Sequence, residues 1–346
     1  MNWLKFARDE RDNFSGKKPR VLSGKKPRVL MVSLPDMWGI TDEDLKPLRE
    51  IAQVDWVQTK HITERELGKR CEGYDYLMLN MDPMPFPDPN KLDKLTEVFY
   101  KFPGVRGLKG INVDMTDADF FSPGIAKRLG IVLQDSPDTT TESVAESALT
   151  EILLHARNRH LAYVDVVKDR DVECRKSLDL KGKVAGVIGK GHIGSRVGSF
   201  LEALGMRVMY NDVDPKRGGG DSLEDIFREA CVVSIHVPCH QPHTNKSNEG
   251  LIGEKLLGMC KDLILVNLAT DIIVDIGALK DALDGGRIRG YSVESGRHET
   301  ESLRRYENVH ISPCSYDSDE SVANVKRVWI RNMISAVRGS PENVWI

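Results

Sequence analysis

The sequence predicts an α/β protein of two doubly wound parallel-sheet lobes, and three observations carry that reading. A chain of 346 residues is too long for one small core and suits two domains of ordinary size. From residue 27 onward the apolar period switches between strand-like runs and helix-like stripes, the pattern of a parallel sheet with crossover helices. A glycine-rich turn, Gly189-Lys-Gly-His-Ile-Gly194, falls directly between an apolar run and a helical stripe.

Residues 1–26 form an extension that contains half of an exact repeat, SGKKPRVL at Ser15–Leu22 and again at Ser23–Leu30. Only the second copy runs into an apolar strand, Arg28–Ser33, so the first is expected to be a surplus mobile arm. The first lobe, 27–139, continues with a helix at Thr41–Ala52 that sets Leu45, Leu48 and Ile51 on one face. Strands follow at Val54–Val57 and Tyr76–Leu79, then a helix at Lys91–Phe102 with Leu92, Leu95 and Phe99 inward, then strands at Val105–Lys109 and Ile131–Gln134.

The second lobe, 140–318, opens on a long helix from Thr141, where Ser143 and Glu146 have capping-box spacing. Its stripes are Val144, Ala148, Ile152 and Ala145, Leu149, Leu153. Strands are expected at Val184–Ile188, Arg207–Asn211, Val232–Val237, Leu263–Asn267 and Ile288–Val293. The last segment, 319–346, carries a helix at Glu320–Arg338 that is expected to cross back to the first lobe.

A formal net charge of −3 lacks the electrostatic footprint of a nucleic-acid or anionic-membrane binder, which leaves a small-molecule partner as the expectation. The six cysteines (Cys71, Cys174, Cys231, Cys239, Cys260, Cys314) form no CxxC pair and no metal-ligand spacing with histidine. They read as reduced thiols, with no metal site. No run reaches the ~18 apolar residues of a membrane span, and no secretory apolar stretch opens the chain, so the cytoplasm is the expected location.

The glycine turn carries the most specific chemistry. Gly189 permits a tight turn after Ile188, Gly191 lets the backbone approach a pyrophosphate, and Gly194 lets helix pack on strand. Amides at the helix start, from Lys190, His192 and Ile193, then face the phosphates. Eighteen residues past Gly194, Asp212 ends the next strand, where a carboxylate accepts hydrogen bonds from ribose hydroxyls. This is a Rossmann signature. A carboxylate there repels the extra phosphate of NADP and favours NAD, although Lys216 and Arg217 lie close enough to soften that preference.

Together with Ser234–Pro238 (SIHVP), the strand ending in Asn267 and Thr141–Glu146 (TESVAE), these motifs resemble the D-isomer-specific 2-hydroxyacid dehydrogenases over residues 27–340. The resemblance implies a flavodoxin-like substrate lobe, a Rossmann NAD lobe and a homodimer. It also implies cofactor contacts from His236, Val237 and Pro238, and from Asn267, Leu268, Ala269 and Glu294. Gly110-Ile-Asn-Val-Asp114 resembles the family's carboxylate-binding loop, which makes Gly110, Ile111 and Asn112 substrate contacts.

The family uses an arginine to grip the substrate carboxylate, a histidine as acid or base, and a glutamate that holds the histidine. In Asn267-Leu-Ala-Thr-Asp271 the arginine position is Thr270; Glu299 matches the glutamate; and in Pro313-Cys314 the histidine position is Cys314. Losing a charged clamp costs about 1.5–3 kcal/mol and losing an acid roughly 10²- to 10⁴-fold in rate. Arg297, His298 and Lys109 are candidates to restore a cation or a proton donor. Cys314 as a nucleophile toward an aldehyde is disfavoured by the nearby Glu299, and a small buried cysteine is the preferred reading. An NAD-dependent oxidoreductase with an atypical substrate is the reading that results. An NAD-binding pseudoenzyme with a regulatory role, and non-redox or transient-redox chemistry on bound NAD, are the alternatives.

Overall fold

A computed structural model describes residues 25–84, 95–116, 123–171, 175–239, 247–294, 298–312 and 314–345, the side chains of 123, 298 and 299 excepted. The first copy of the repeat, Leu92 and Arg297 lie outside these residues.

Five parallel strands build the first lobe: β1 (Arg28–Ser33), β2 (Gln53–Gln58), β3 (Tyr76–Leu79), β4 (Gly110–Val113) and β5 (Val132–Gln134), in the order β2-β1-β3-β4-β5. The central strands are buried on both faces, which is why they read as continuous apolar runs. Helices α1 (Asp42–Ile51) and α2 (Glu64–Arg70) each start on a capping box, Thr41 with Asp44 and Thr63 with Glu66.

One expected strand is misplaced. Pro103–Arg106 is a single helical turn opened by a proline whose φ suits a first helical position, and Val105 is buried within it. The strand starts at Gly110, where the absent side chain lets the Tyr76 ring and the Val132 carbonyl close in at 3.3 Å from a would-be Cβ. The expected helix at Lys91–Phe102 is described only as the turn Glu97–Tyr100, with Leu95 and Phe99 buried.

The second lobe holds six parallel strands: β6 (Val184–Ile188), β7 (Arg207–Asn211), β8 (Val232–Ile235), β9 (Leu263–Asn267), β10 (Ile288–Glu294) and β11 (Val309–Ser312). Their order is β11-β10-β9-β8-β6-β7. In both sheets the chain steps to one side of its first strand and then to the other, so a crevice opens at the carboxyl ends of β1 and β3 and again at those of β6 and β8. Helices α3 (Thr141–Ala156), α4 (Arg159–Val167), α5 (His192–Ala203), α6 (Leu223–Glu229) and α7 (Ile276–Asp284) accompany the second sheet.

Helix α3 buries Val144, Ala145, Ala148 and Ile152, whereas Leu153 is exposed. It has no capping box. The Ser143 hydroxyl instead shares hydrogen bonds of 2.7 Å with the hydroxyls of Ser318 and Ser321. Those serines open the last helix, α8 (Asp319–Val337), so the two places where the chain passes between the lobes are tied together.

Helix α8 packs back on the first sheet. Trp329 is fully buried among Met31, Leu45, Leu48 and Met78, and its indole N–H donates to the Asn112 carbonyl at 3.2 Å. The Asn112 side-chain amide returns a bond to the Trp329 carbonyl at 2.7 Å, and the Tyr76 hydroxyl reaches the Ala336 carbonyl at 3.1 Å. Trp329→Ala is therefore expected to cost about 3–5 kcal/mol in the unfolding of the first lobe, followed by chemical denaturation. An unchanged midpoint would show that this indole is not a core residue.

Candidate active site and dinucleotide cradle

The cradle begins where β6 ends. Gly189 has φ +91°, and a Cβ there would run into the carbonyl of His236 at the end of β8. Gly194 does the same work inside the turn, because a Cβ would strike the Gly189 carbonyl and push α5 off the strand. Gly191, the N-cap of α5, is uncrowded; the nearest atom to its would-be Cβ is the end of the Arg217 side chain, Nη1 at 3.6 Å. The opening is what a pyrophosphate approaching unpaired helix amides needs. It widens into a cleft of about 520 Å³ lined by Asp138, Thr141, Lys190, Arg196 and Arg217, among others.

Asp212 closes the adenosine side. Its side chain is 5% exposed, Oδ2 accepts the Lys190 backbone N–H at 2.7 Å, and Oδ1 accepts that of Asp214 at 2.8 Å. Lone pairs remain for ribose hydroxyls. Arg217 Nη1 stands 3.5 Å from Oδ2, and Lys190 Nζ sits 4.4 Å over the Tyr210 ring, so the basic groups flank the acid rather than replace it. The residues present fit a dinucleotide.

The ends of β8, β9 and β10 form the next wall. Burial pushes the His236 imidazole down to about 4, so it is neutral, and its Nε2 meets the Ser234 hydroxyl at 2.8 Å. Val237 packs on the core, and the Pro238 carbonyl accepts from Asn248 at 2.8 Å. Asn267 is buried and spends its side chain on the turn, donating to the Thr270 carbonyl at 3.0 Å and accepting from Ala269 at 3.2 Å. Leu268 is buried beneath that turn. Asp271 is buried and acts electrostatically on the Tyr291 phenol.

Glu294 ends β10 and accepts a hydrogen bond from the Ser315 hydroxyl, while burial raises its carboxyl above the usual range. Burial also raises the half-buried Cys314 thiol, helped by Glu294 and Asp317. The thiolate is disfavoured, and the described carboxylates that act on it are Glu294 and Asp317. The side chains of His298 and Glu299 fall outside the described ones.

The first lobe supplies the opposite wall from Asp114, the last residue of the segment that resembles the carboxylate loop, and from Trp38, Asn80 and Asp82, which the motifs do not single out. Asp114 follows β4 and is 3% exposed; its Oδ2 accepts the Trp38 indole N–H at 2.6 Å and the Asn80 amide at 2.7 Å. The same Asn80 nitrogen reaches Asp82 Oδ2 at 3.1 Å. Burial first, with Asp82 adding to it against the two donors, pushes the Asp114 carboxyl up to about 7. Tyr316 of the second lobe closes the gap, its ring 6.3 Å from that of Trp38.

Two expectations about the substrate wall are corrected. Gly110, Ile111 and Asn112 lie inside β4, with Asn112 committed to Trp329, so the loop at the cleft starts at Asp114. Lys109 precedes β4 at the far end of the sheet, where its ammonium pairs with Asp75 at 2.8 Å. Among the described residues no group of histidine, cysteine and carboxylate side chains is arranged to hold a metal, and no helix is long and apolar enough to cross a membrane.

Two parallel-sheet lobes, with a glycine cradle and its cleft on one of them, define a dinucleotide-binding protein of the two-lobed α/β class. Residues 149–315 match the family described as D-isomer specific 2-hydroxyacid dehydrogenase, NAD binding domain. The chain is similar to D-3-phosphoglycerate dehydrogenase of Methanocaldococcus jannaschii, 30% identical over 259 residues that cover 73% of this chain and 47% of that one. It is also similar to glyoxylate reductase of Thermococcus kodakarensis, 28% identical over 324 residues, 87% and 92% of the two chains. A crystal structure of D-lactate dehydrogenase from Aquifex aeolicus complexed with NAD and lactic acid shares the fold, with a TM-score of 0.71 at 22% identity over 90% of this chain and 96% of that one. Residues 149–315 belong to the NAD-binding domains of the D-isomer-specific 2-hydroxyacid dehydrogenases, and the chain as a whole is similar to members of that family. It spans about half the length of the D-3-phosphoglycerate dehydrogenases it matches.

Gly191→Val fills the opening at the helix start without touching the packed glycines, so NAD+ affinity is expected to fall by about tenfold or more at unchanged thermal stability. Calorimetry that finds full affinity would remove the cradle. For Asp114, the folded carboxyl titrates near 7 against about 3.9 unfolded, so the native state holds the extra proton between those values and stability falls as pH rises through that window. Asp114→Asn should therefore match the parent near pH 4 and exceed it above pH 7, on the order of 1–3 kcal/mol. A variant less stable at pH 8 would contradict this.

Proposed function

We propose that this chain is an NAD-dependent oxidoreductase acting on a carbonyl, alcohol or related carbon centre, with a substrate other than a simple 2-hydroxy acid. The observation that carries the reading is the union of a complete dinucleotide cradle with a cleft in which Thr270 and Cys314 occupy the positions that the family resemblance gives to the anion-gripping arginine and the acid–base histidine. Bound NADH supplies a hydride equivalent. The protein's own part is to hold the dinucleotide through Gly191 and Asp212, to keep His236 neutral under the cofactor wall, and to shape the cleft with Trp38, Tyr316 and Glu294.

Asp212 favours NAD over NADP, since a carboxylate fixed by two backbone amides cannot turn away from a 2′-phosphate. Arg217 offsets part of that repulsion. Binding titrations are expected to show NAD+ tighter than NADP+, and Asp212→Ala is expected to close the gap. Exposed Tyr163, Val166 and Val167 on α4 give the chain an apolar face suited to a homodimer.

Turnover of NADH with 2-oxo acids should run on the order of 10³- to 10⁶-fold below that of a site holding both missing groups. The double variant Thr270→Arg, Cys314→His should raise it. Silence of the native protein toward 2-oxo acids, ketones, aldehydes and imines alike, with NAD+ bound, would favour a dinucleotide-sensing role instead.

A further inference from the structure

The cleft wall contributed by the first lobe carries the wrong sign for a carboxylate substrate. Asp82 and Asp114 stand at the carboxyl ends of β3 and β4, beside the crevice where the sheet order reverses, and Glu294, at the end of β10, acts with Asp82 on the Tyr316 phenol. None of the three forms an ion pair among the described residues. One neutral amide, Asn80 Nδ2, serves both Asp82 and Asp114. Among the described residues no other residue donates a hydrogen bond to Asp114 Oδ1, on a side chain 3% exposed. A bare oxygen on a buried carboxyl, next to a second carboxylate, is a group that lacks its partner.

The aromatic rings supply an independent sign. Trp38 and Tyr316 meet across the cleft at 6.3 Å, inclined by 55°, and the Tyr316 phenol lies within the electrostatic reach of Asp82, Glu294 and Cys314. The faces of aromatic rings attract cations. Trp38 is held in place at a cost, with φ +55° on a bulky residue.

We propose that the cleft takes an organic cation, an ammonium, guanidinium or protonated imine, seated between the Trp38–Tyr316 pair and the carboxyl groups of Asp82 and Asp114. Binding stands by itself; the use of that cation as a substrate rests on the oxidoreductase reading. A protonated imine also accounts for the missing acid. It already bears the proton that a ketone must be given, so its reduction takes one hydride equivalent from NADH onto carbon, shifts the C=N electron pair to nitrogen, and leaves a neutral amine with NAD+. Nothing is asked of Cys314, whose thiol is a poor acid here.

The test is calorimetry on the whole chain, with and without NAD+, using pyrrolidinium, butylammonium and butylguanidinium against glycolate and D-lactate. At least one cation is expected to bind about tenfold or more tightly than either anion. That affinity should fall about tenfold or more in Asp114→Asn and in Asp82→Asn, and hold in Glu43→Gln, an exposed acid on α1. The Asp114→Asn amide oxygen can still accept from Trp38 and Asn80, so the fold should be retained, and a thermal melt checks it. Tighter binding of the anions, no binding of any cation, or cation affinity indifferent to both aspartate variants overturns the proposal. The NAD+ titration reports separately on the oxidoreductase reading. With NADH present, 1-pyrroline is expected to outpace glyoxylate, and the reverse order counts against the proposal.

Discussion

Gly189 meets the carbonyl of His236 with no side chain between them, and the geometry of the NAD lobe follows from that approach. Because β6 and β8 can close at their carboxyl ends, α5 starts directly over the crevice and aims its free amides across it. Gly194 then keeps the helix pressed on the turn, and the Lys190 amide is drawn to Asp212, which fixes the ribose-binding carboxylate relative to the pyrophosphate position. The dinucleotide site is thus a consequence of two missing Cβ atoms and one acid.

The substrate side depends on how the first lobe is held. Helix α8 leaves the second lobe, is tied to α3 through Ser143, Ser318 and Ser321, and buries Trp329 against the first sheet. Its mutual hydrogen bonds with Asn112 anchor β4, and Asp114 begins at the next turn of chain beyond that strand. The carboxylate wall and the aromatic pair are therefore positioned by a helix that starts beside Tyr316 itself. Charge at the cleft and connection between the lobes share one set of supports.

Much of this was legible locally. The glycine spacing, the strand before it and Asp212 all lie within thirty residues, and each has a physical reason that a short window contains. The central strands of both sheets were legible too, since burial on both faces leaves uninterrupted apolar runs. β4 was shifted because Val105 is apolar for the sake of a helical turn, and Gly110 in a strand reads as a loop until the Tyr76 ring that fills its space is known. Ser143 looked like half of a capping box, yet its partners are 175 and 178 residues away. The same distance problem hid the aromatic pair: nothing near Trp38 announces Tyr316, and Asn80, Asp82 and Asp114 become a cluster only when β3 and β4 lie side by side. Lys109 was drawn in by its neighbour in sequence, although strand direction sends it to the opposite edge.

The central claim is that this cradle holds the dinucleotide with its pyrophosphate on the start of α5. A crystal structure of the chain grown with NAD+ measures it most directly: the phosphate oxygens should lie within hydrogen-bond distance of the backbone amides between Gly191 and Ile193, with an adenosine ribose hydroxyl on Asp212. A dinucleotide lodged elsewhere, or a ribose that leaves Asp212 untouched, would contradict the account.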